Sequence, residues 1–219
     1  KLRWRSLCQQ LAAQGFVAAS IDYRLAPEWP WPAQLVDAQL AARWLRAQAS
    51  ALGLDAHHLC AYGDSAGGHL AVFLGVSHSI HAGDLAATLT AQSPAVSCVV
   101  DDFGPTDLVS LAPTPLGQQI AGPLFGGKTP QSDLALYRDA SPVFAVTPAS
   151  APMLLLQGTR DGVVPASQSA ELAQALRAQH VPVQYVTYDG DHEFNGLPAA
   201  RLRALLDLTI AFLLAHASA

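Results

Sequence analysis

The chain has 219 residues, of which 51% are hydrophobic and 13% charged, and carries a formal net charge of -5. Such a length fills one hydrophobic core without requiring a second domain, and the composition is that of a globular chain rather than a disordered one. The acidic balance, with no Lys/Arg cluster interleaved with aromatics, offers no field for a phosphate backbone and argues against a nucleic-acid partner.

Short runs rich in Val, Ile and Leu alternate with longer stretches of helical period. That is the pattern of an α/β fold: a mostly parallel sheet with helices on both faces, here in one domain over 1–219. Leu2 to Gln14 reads as a helix stopped by Gly15, and Phe16 to Asp22 as a buried strand. Pro32 is placed to open a helix whose stripe runs Leu35, Ala38, Ala42, Leu45, Ala49 and Leu52, closed by Gly53. Leu59 to Tyr62 is a short strand, Ser65 to Ser77 a helix, and Val96 to Phe103 another strand.

The stretch 104–150, rich in proline and glycine, breaks the alternation and is expected to run over the sheet as a lid or pocket wall. Leu116, Ile120, Leu124 and Phe125 within it are read as packing residues, with an acyl pocket as the alternative. Regularity then resumes: strand Met153 to Gln157, helix Ala166 to Gln179, strand Val183 to Tyr188, and a final helix from Ala199 to Ala217. Arg203 and Asp207 interrupt that last apolar stretch, so no membrane span is expected. Cys8, Cys60 and Cys98 cannot all pair internally and have no metal-ligand spacing. They are read as buried small hydrophobes, which leans weakly towards a reducing compartment and otherwise leaves location open.

The chemistry centres on Gly63-Asp64-Ser65-Ala66-Gly67-Gly68. Gly-x-Ser-x-Gly alone is a weak signal, but here a strand runs into it and an apolar helix leaves it. That context holds a serine on a tight turn above the sheet edge. The helix amino terminus puts the backbone N–H of Ala66 where charge develops on a carbonyl oxygen, making Ala66 the candidate oxyanion donor. A serine hydroxyl needs a base, and the base needs a partner that fixes its tautomer. In the order serine, acid, histidine, each partner falls in a loop after a later strand: Asp161 after Met153 to Gln157, and His192 after Val183 to Tyr188. Asp161 as a mere cap for the helix entered at Pro165 is the competing reading. Asp189 and Asp191 lie too close to His192 to reach its ring from behind. Asp64 is read as supporting the turn, and His69 as packing.

These residues carry a resemblance. Ile21-Asp22-Tyr23-Arg24-Leu25-Ala26-Pro27-Glu28, Pro32-Ala33, Asp37 and the serine motif resemble the hormone-sensitive-lipase-like esterases and the feruloyl and acetyl-xylan esterase-like α/β-hydrolases. Phe103-Gly104-Pro105-Thr106-Asp107-Leu108, Ser141-Pro142 and Gly158 to Pro165 look more like the second group. The resemblance implies a serine carboxylesterase acting on small or short-chain esters through an acyl-enzyme, with Ser65, Asp161 and His192 as the triad and neither metal nor cofactor. An amidase or peptidase of the same fold is the alternative, as is a weak or inactive hydrolase-like fragment. One departure stands out: those families carry a His-Gly-Gly-Gly segment that supplies further oxyanion N–H groups, and none lies between Lys1 and Ser65. The expectation is therefore an amino-terminally truncated α/β-hydrolase fold with a gap between the strands at Phe16 to Asp22 and Leu59 to Tyr62. Strand rearrangement or another copy of the chain would cover the open edge.

Overall fold

The structure, a computed structural model, describes residues 4–76, 89 and 91–217. Its four parallel strands are β1 (Cys60–Asp64), β2 (Cys98–Asp102), β3 (Met153–Gly158) and β4 (Val183–Tyr188). They lie side by side in sequence order. Parallel neighbours need a crossover, and the crossovers are helical. The helices are α1 (Arg5–Ala12), α2 (Ala33–Ala47), α3 (Ala49–Leu52), α4 (Ala66–Val76), α5 (Leu108–Leu111), α6 (Pro115–Phe125), α7 (Leu134–Asp139), α8 (Ser167–Ala178) and α9 (Ala199–Ala217).

Alternation along the strands builds two cores. Val99, Met153 and Leu155 face α2, α4 and α8 in one cluster, with Leu35, Leu70, Phe73, Leu172 and Leu176. Cys98, Val100, Leu154 and Leu156 face α1 and α9 in the other, with Leu11, Leu205, Phe212 and Leu213. Both faces are thus covered, so β2 and β3 are buried along their whole length and read as continuous apolar runs. Helix bounds match the sequence reading within a few residues, except that the single helix expected from Pro32 to Gly53 divides into α2 and α3 at Gln48; Leu2 and Ser77 lie outside the described residues.

Two expectations are corrected. Phe16 to Asp22 is not a strand: it belongs to no ladder, and Val17 and Ile21 are exposed. A buried strand and a surface run look alike in composition. The difference is a neighbour within ladder distance, about 4.8 Å, and here the run and β1 instead line a common cleft of about 540 Å3. The cysteines are the second correction. Cys60 and Cys98 form a disulfide, because the β1–β2 register sets them opposite one another with Cα atoms 4.6 Å apart, inside bridging range. Their separation of 38 residues conceals that adjacency, and closing such a loop stabilises the fold by about 3–4 kcal/mol. Only Cys8 is a free thiol among the described residues, so the ground for a reducing compartment falls away.

Most of the stretch 104–150 is helical, comprising α5, α6, α7 and a 3-10 turn at Pro142–Ala145. Leu108, Leu111, Phe125 and Tyr137 enter the same core as Val99 and Leu155, with Leu116, Ile120 and Leu124 packed against it. None of Leu116, Ile120, Leu124 and Phe125 lines the cleft beside Ser65, so the packing role is the one observed.

Candidate active site

β1 ends at Asp64 and α4 begins at Ala66, which leaves Ser65 alone on the turn with φ of 49°. A non-glycine residue in this left-handed region is strained, and the surroundings must hold it there. The Ser65 N–H donates to the Asp102 carbonyl at the end of β2, at 2.8 Å, and the Ser65 carbonyl accepts from His69 N in α4 at 3.0 Å. Close approach is the second requirement. A Cβ on Gly63 would stand 2.2 Å from both the carbonyl carbon and oxygen of Gly67, and one on Gly68 would stand 2.1 Å from Asp101 Oδ1. Only glycine lets helix and strand come so near.

Asp161 and His192 leave β3 and β4 at the same sheet edge, three and four residues beyond the strand ends. His192 Nδ1 lies 2.8 Å from Asp161 Oδ2, and Nε2 lies 3.1 Å from Ser65 Oγ. An ionised carboxylate can only accept, so Nδ1 carries the proton and Nε2 is left to accept from the serine hydroxyl. The Asp161 side chain is fully buried, and that of His192 is 12% exposed. The buried Phe103 ring meets the imidazole edge-on with centroids 4.7 Å apart. Chain segments 127 and 31 residues apart thus meet in one relay.

Asp161 does not cap α8, whose N-cap is Ala166 with no side-chain cap bond. Its Oδ1 accepts from Val163 N and Val164 N at 2.9 and 2.8 Å, organising the loop, while Oδ2 faces His192. One carboxylate does both. Asp189 pairs with Arg160 at 2.7 Å. Asp191 Oδ1 accepts from the backbone N–H groups of His192 and Gly162, at 2.7 and 2.9 Å, so it ties the histidine loop to the aspartate loop. These two bonds hold its carboxyl below the usual range. Neither flanking aspartate is the ring's hydrogen-bond partner.

His69 is buried, with Nδ1 2.8 Å from the Pro105 carbonyl and its ring edge-on to Trp31 and Phe73. Burial lowers its pKa to about 4, against the pull of the Pro105 bond. It packs and does not join the relay. Ala66 opens α4, so its N–H is one of the first-turn donors that have no acceptor within the helix.

Two buried carboxyls at the end of β2 escape sequence reasoning. Burial raises Asp101 to about 7, with the Gly104 N–H bond opposing, and its Oδ2 has no hydrogen-bond partner. Burial likewise raises Asp102 well above its ordinary range, against the bond from the Tyr62 hydroxyl. A carboxyl whose folded pKa exceeds its unfolded value contributes stability that is complete below the unfolded pKa, near 4, and is lost as pH climbs through the folded one. We therefore expect the stability that Asp101 contributes to be lost between about pH 4 and about pH 7. The difference in melting temperature between the wild-type chain and Asp101→Asn should shrink across that range and level off above it, as thermal melts would show. Both residues sit in an otherwise apolar strand, and nothing in their spacing signals burial.

Comparison with known proteins gives the family. Residues 3–176 match the protein-family model described as BD-FAE. The chain belongs to that family. Esterase LipC of Mycobacterium tuberculosis (strain ATCC 25618 / H37Rv) is 33% identical over 204 residues, covering 90% of this chain and 49% of LipC. The probable carboxylic ester hydrolase LipM of the same strain is 28% identical, covering 89% of this chain and 46% of its own length. Among solved structures, the acetyl ester-xyloside bifunctional hydrolase from Caldicellulosiruptor lactoaceticus superposes with a TM-score of 0.81 at 26% identity, over 96% of this chain and 75% of that one. The chain spans about half the length of the curated relatives it matches. The expected α/β-hydrolase fold is the one observed, and the named relatives are esterases.

Proposed function

We propose that this BD-FAE chain is a serine hydrolase of small carboxylic esters. The observation that carries the reading is the continuous line of hydrogen-bonding distances from Ser65 Oγ through both His192 nitrogens to Asp161. In the reaction, Ser65 Oγ attacks the ester carbonyl carbon as its proton passes to His192 Nε2. Asp161 stabilises the imidazolium, which then protonates the departing alcohol. Water deacylates the serine by the same relay, returning the carboxylic acid and the free enzyme. No step calls on a metal or cofactor, and among the described residues no cluster of three or more His, Cys, Asp or Glu could hold a metal ion.

The esterase names of the relatives support an ester over an amide. A parallel assay with a short-chain aryl ester, an aryl formamide and a proline amide tests this: the ester alone should turn over appreciably, and preferential amide cleavage would replace the reading with an amidase.

The substrate is a small molecule on this reading. No described helix is long and apolar enough to cross a membrane. β1 is the edge strand of the described sheet, and a second copy of the chain is the proposed cover for that edge. Sedimentation at micromolar concentration reads this as a dimer, and a monomer throughout removes it.

A further inference from the structure

Gln157 is the penultimate residue of β3, on the same face as Met153 and Leu155 and beneath α8. It is fully buried, yet polar. An amide placed there has to find partners for two donors and an acceptor, or its burial costs free energy. The partners are specific. Nε2 lies 3.2 Å from Asp161 Oδ2, 3.2 Å from the Gly158 carbonyl and 3.4 Å from the Val164 carbonyl. All three are acceptors, so the NH2 end of the amide must face them and the orientation is fixed. The carbonyl end accepts from Ser169 Oγ of α8 at 2.9 Å, and Ser169 is itself fully buried.

Asp161 Oδ2 is therefore held by two donors, His192 Nδ1–H on its outer side and the Gln157 amide on its inner side. Oδ1 is meanwhile occupied by Val163 N and Val164 N. Every accepting direction of the carboxylate has a purpose. Remove the inner donor and two things follow. The carboxylate loses the contact that stops Oδ2 swinging away from the imidazole, and the charge formerly shared with the amide concentrates on the His192 N–H.

We propose that Gln157, anchored by Ser169, is a positioning residue for the relay: it aims Asp161 Oδ2 at His192 and moderates the basicity that Asp161 confers on the imidazole. The role rests on the serine-hydrolase reading. Gln157 touches no reacting atom and acts only through Asp161.

The test is the rate of Ser65 labelling by a fluorophosphonate probe as a function of pH, which reports serine activation independently of turnover. In Gln157→Met, which keeps the length and loses the amide, the plateau rate should fall about 10-fold because the relay is less well aligned. The acid limb should move to higher pH, since His192 now holds its proton more tightly against an unshared carboxylate. A purely structural residue would lower the labelled amount at every pH without moving the limb, and that result overturns the proposal. So does a profile that superimposes on wild type. Should Gln157→Met fail to fold, as judged by circular dichroism, Ser169→Ala decides the matter. It frees the amide without touching Asp161, and is expected to shift the limb in the same direction by a smaller amount. An unmoved limb there overturns the proposal too. A wild-type chain that is not labelled at Ser65 at all would sink the hydrolase reading instead, so the two failures are distinguishable.

Discussion

Ser65→Ala removes aryl-ester turnover, with an expected loss of at least about 10⁴-fold in kcat. The size follows from the residue's place in the relay. His192 and Asp161 remain, but with no nucleophile there is no acyl-enzyme, and what survives is the modest stabilisation of a bound substrate by the oxyanion donor. The fold should be nearly indifferent. Ser65 sits at φ of 49°, a conformation that strains alanine much as it strains serine and changes stability by no more than about 1 kcal/mol. Initial rates and a thermal melt on one preparation separate the two effects. Turnover that persists at a tenth of wild type would remove Ser65 from the mechanism.

Gly63→Ala should be as damaging to the fold as Ser65→Ala is to the chemistry. The added Cβ would lie 2.2 Å from two backbone atoms of Gly67, and backbone at the start of α4 cannot swing aside as a flexible side chain would. Either α4 is pushed off β1, breaking the contact that seats Ser65, or the chain does not fold. We expect a loss of more than about 3 kcal/mol, read from denaturant unfolding, with labelling of Ser65 abolished. The same motif contains its own control. A Cβ on Gly67 meets only Asp64 Oδ1, at 3.8 Å, inside a helix where alanine is favoured over glycine by about 1 kcal/mol. Gly67→Ala should therefore leave stability unchanged or raised. Equal damage at both positions would mean the turn is not packed as described.

The contrast between these two glycines shows what a linear pattern conveys. Gly-x-Ser-x-Gly announces a tight turn, because strand and helix periodicities flank it, but the contacts that forbid a methyl group at Gly63 are tertiary. The same limit applies elsewhere. β3, β4 and α9 were readable because β3 opens as a continuous apolar run, β4 is rich in β-branched and aromatic residues, and α9 carries a broad apolar stripe. That Ser65, Asp161 and His192 would meet at one sheet edge was readable because each loop follows a recognisable strand. Phe16 to Asp22 misled because pairing depends on a neighbour that composition does not mention. The Cys60–Cys98 bridge was hidden because strand adjacency, rather than sequence distance, brings its halves together. Gln157 and Asp191 were missed for a related reason. A glutamine closing an apolar strand and an aspartate beside a histidine acquire their roles only when the loops after β3 and β4 fold against one another.

The most direct test of the relay is to treat the intact chain with a fluorophosphonate probe and map the adduct by peptide mass spectrometry, alongside His192→Ala. The account predicts a single adduct on Ser65 in the wild-type chain and loss of labelling when the imidazole is removed. An adduct on another residue, or equal labelling of Ser65 without His192, would contradict it.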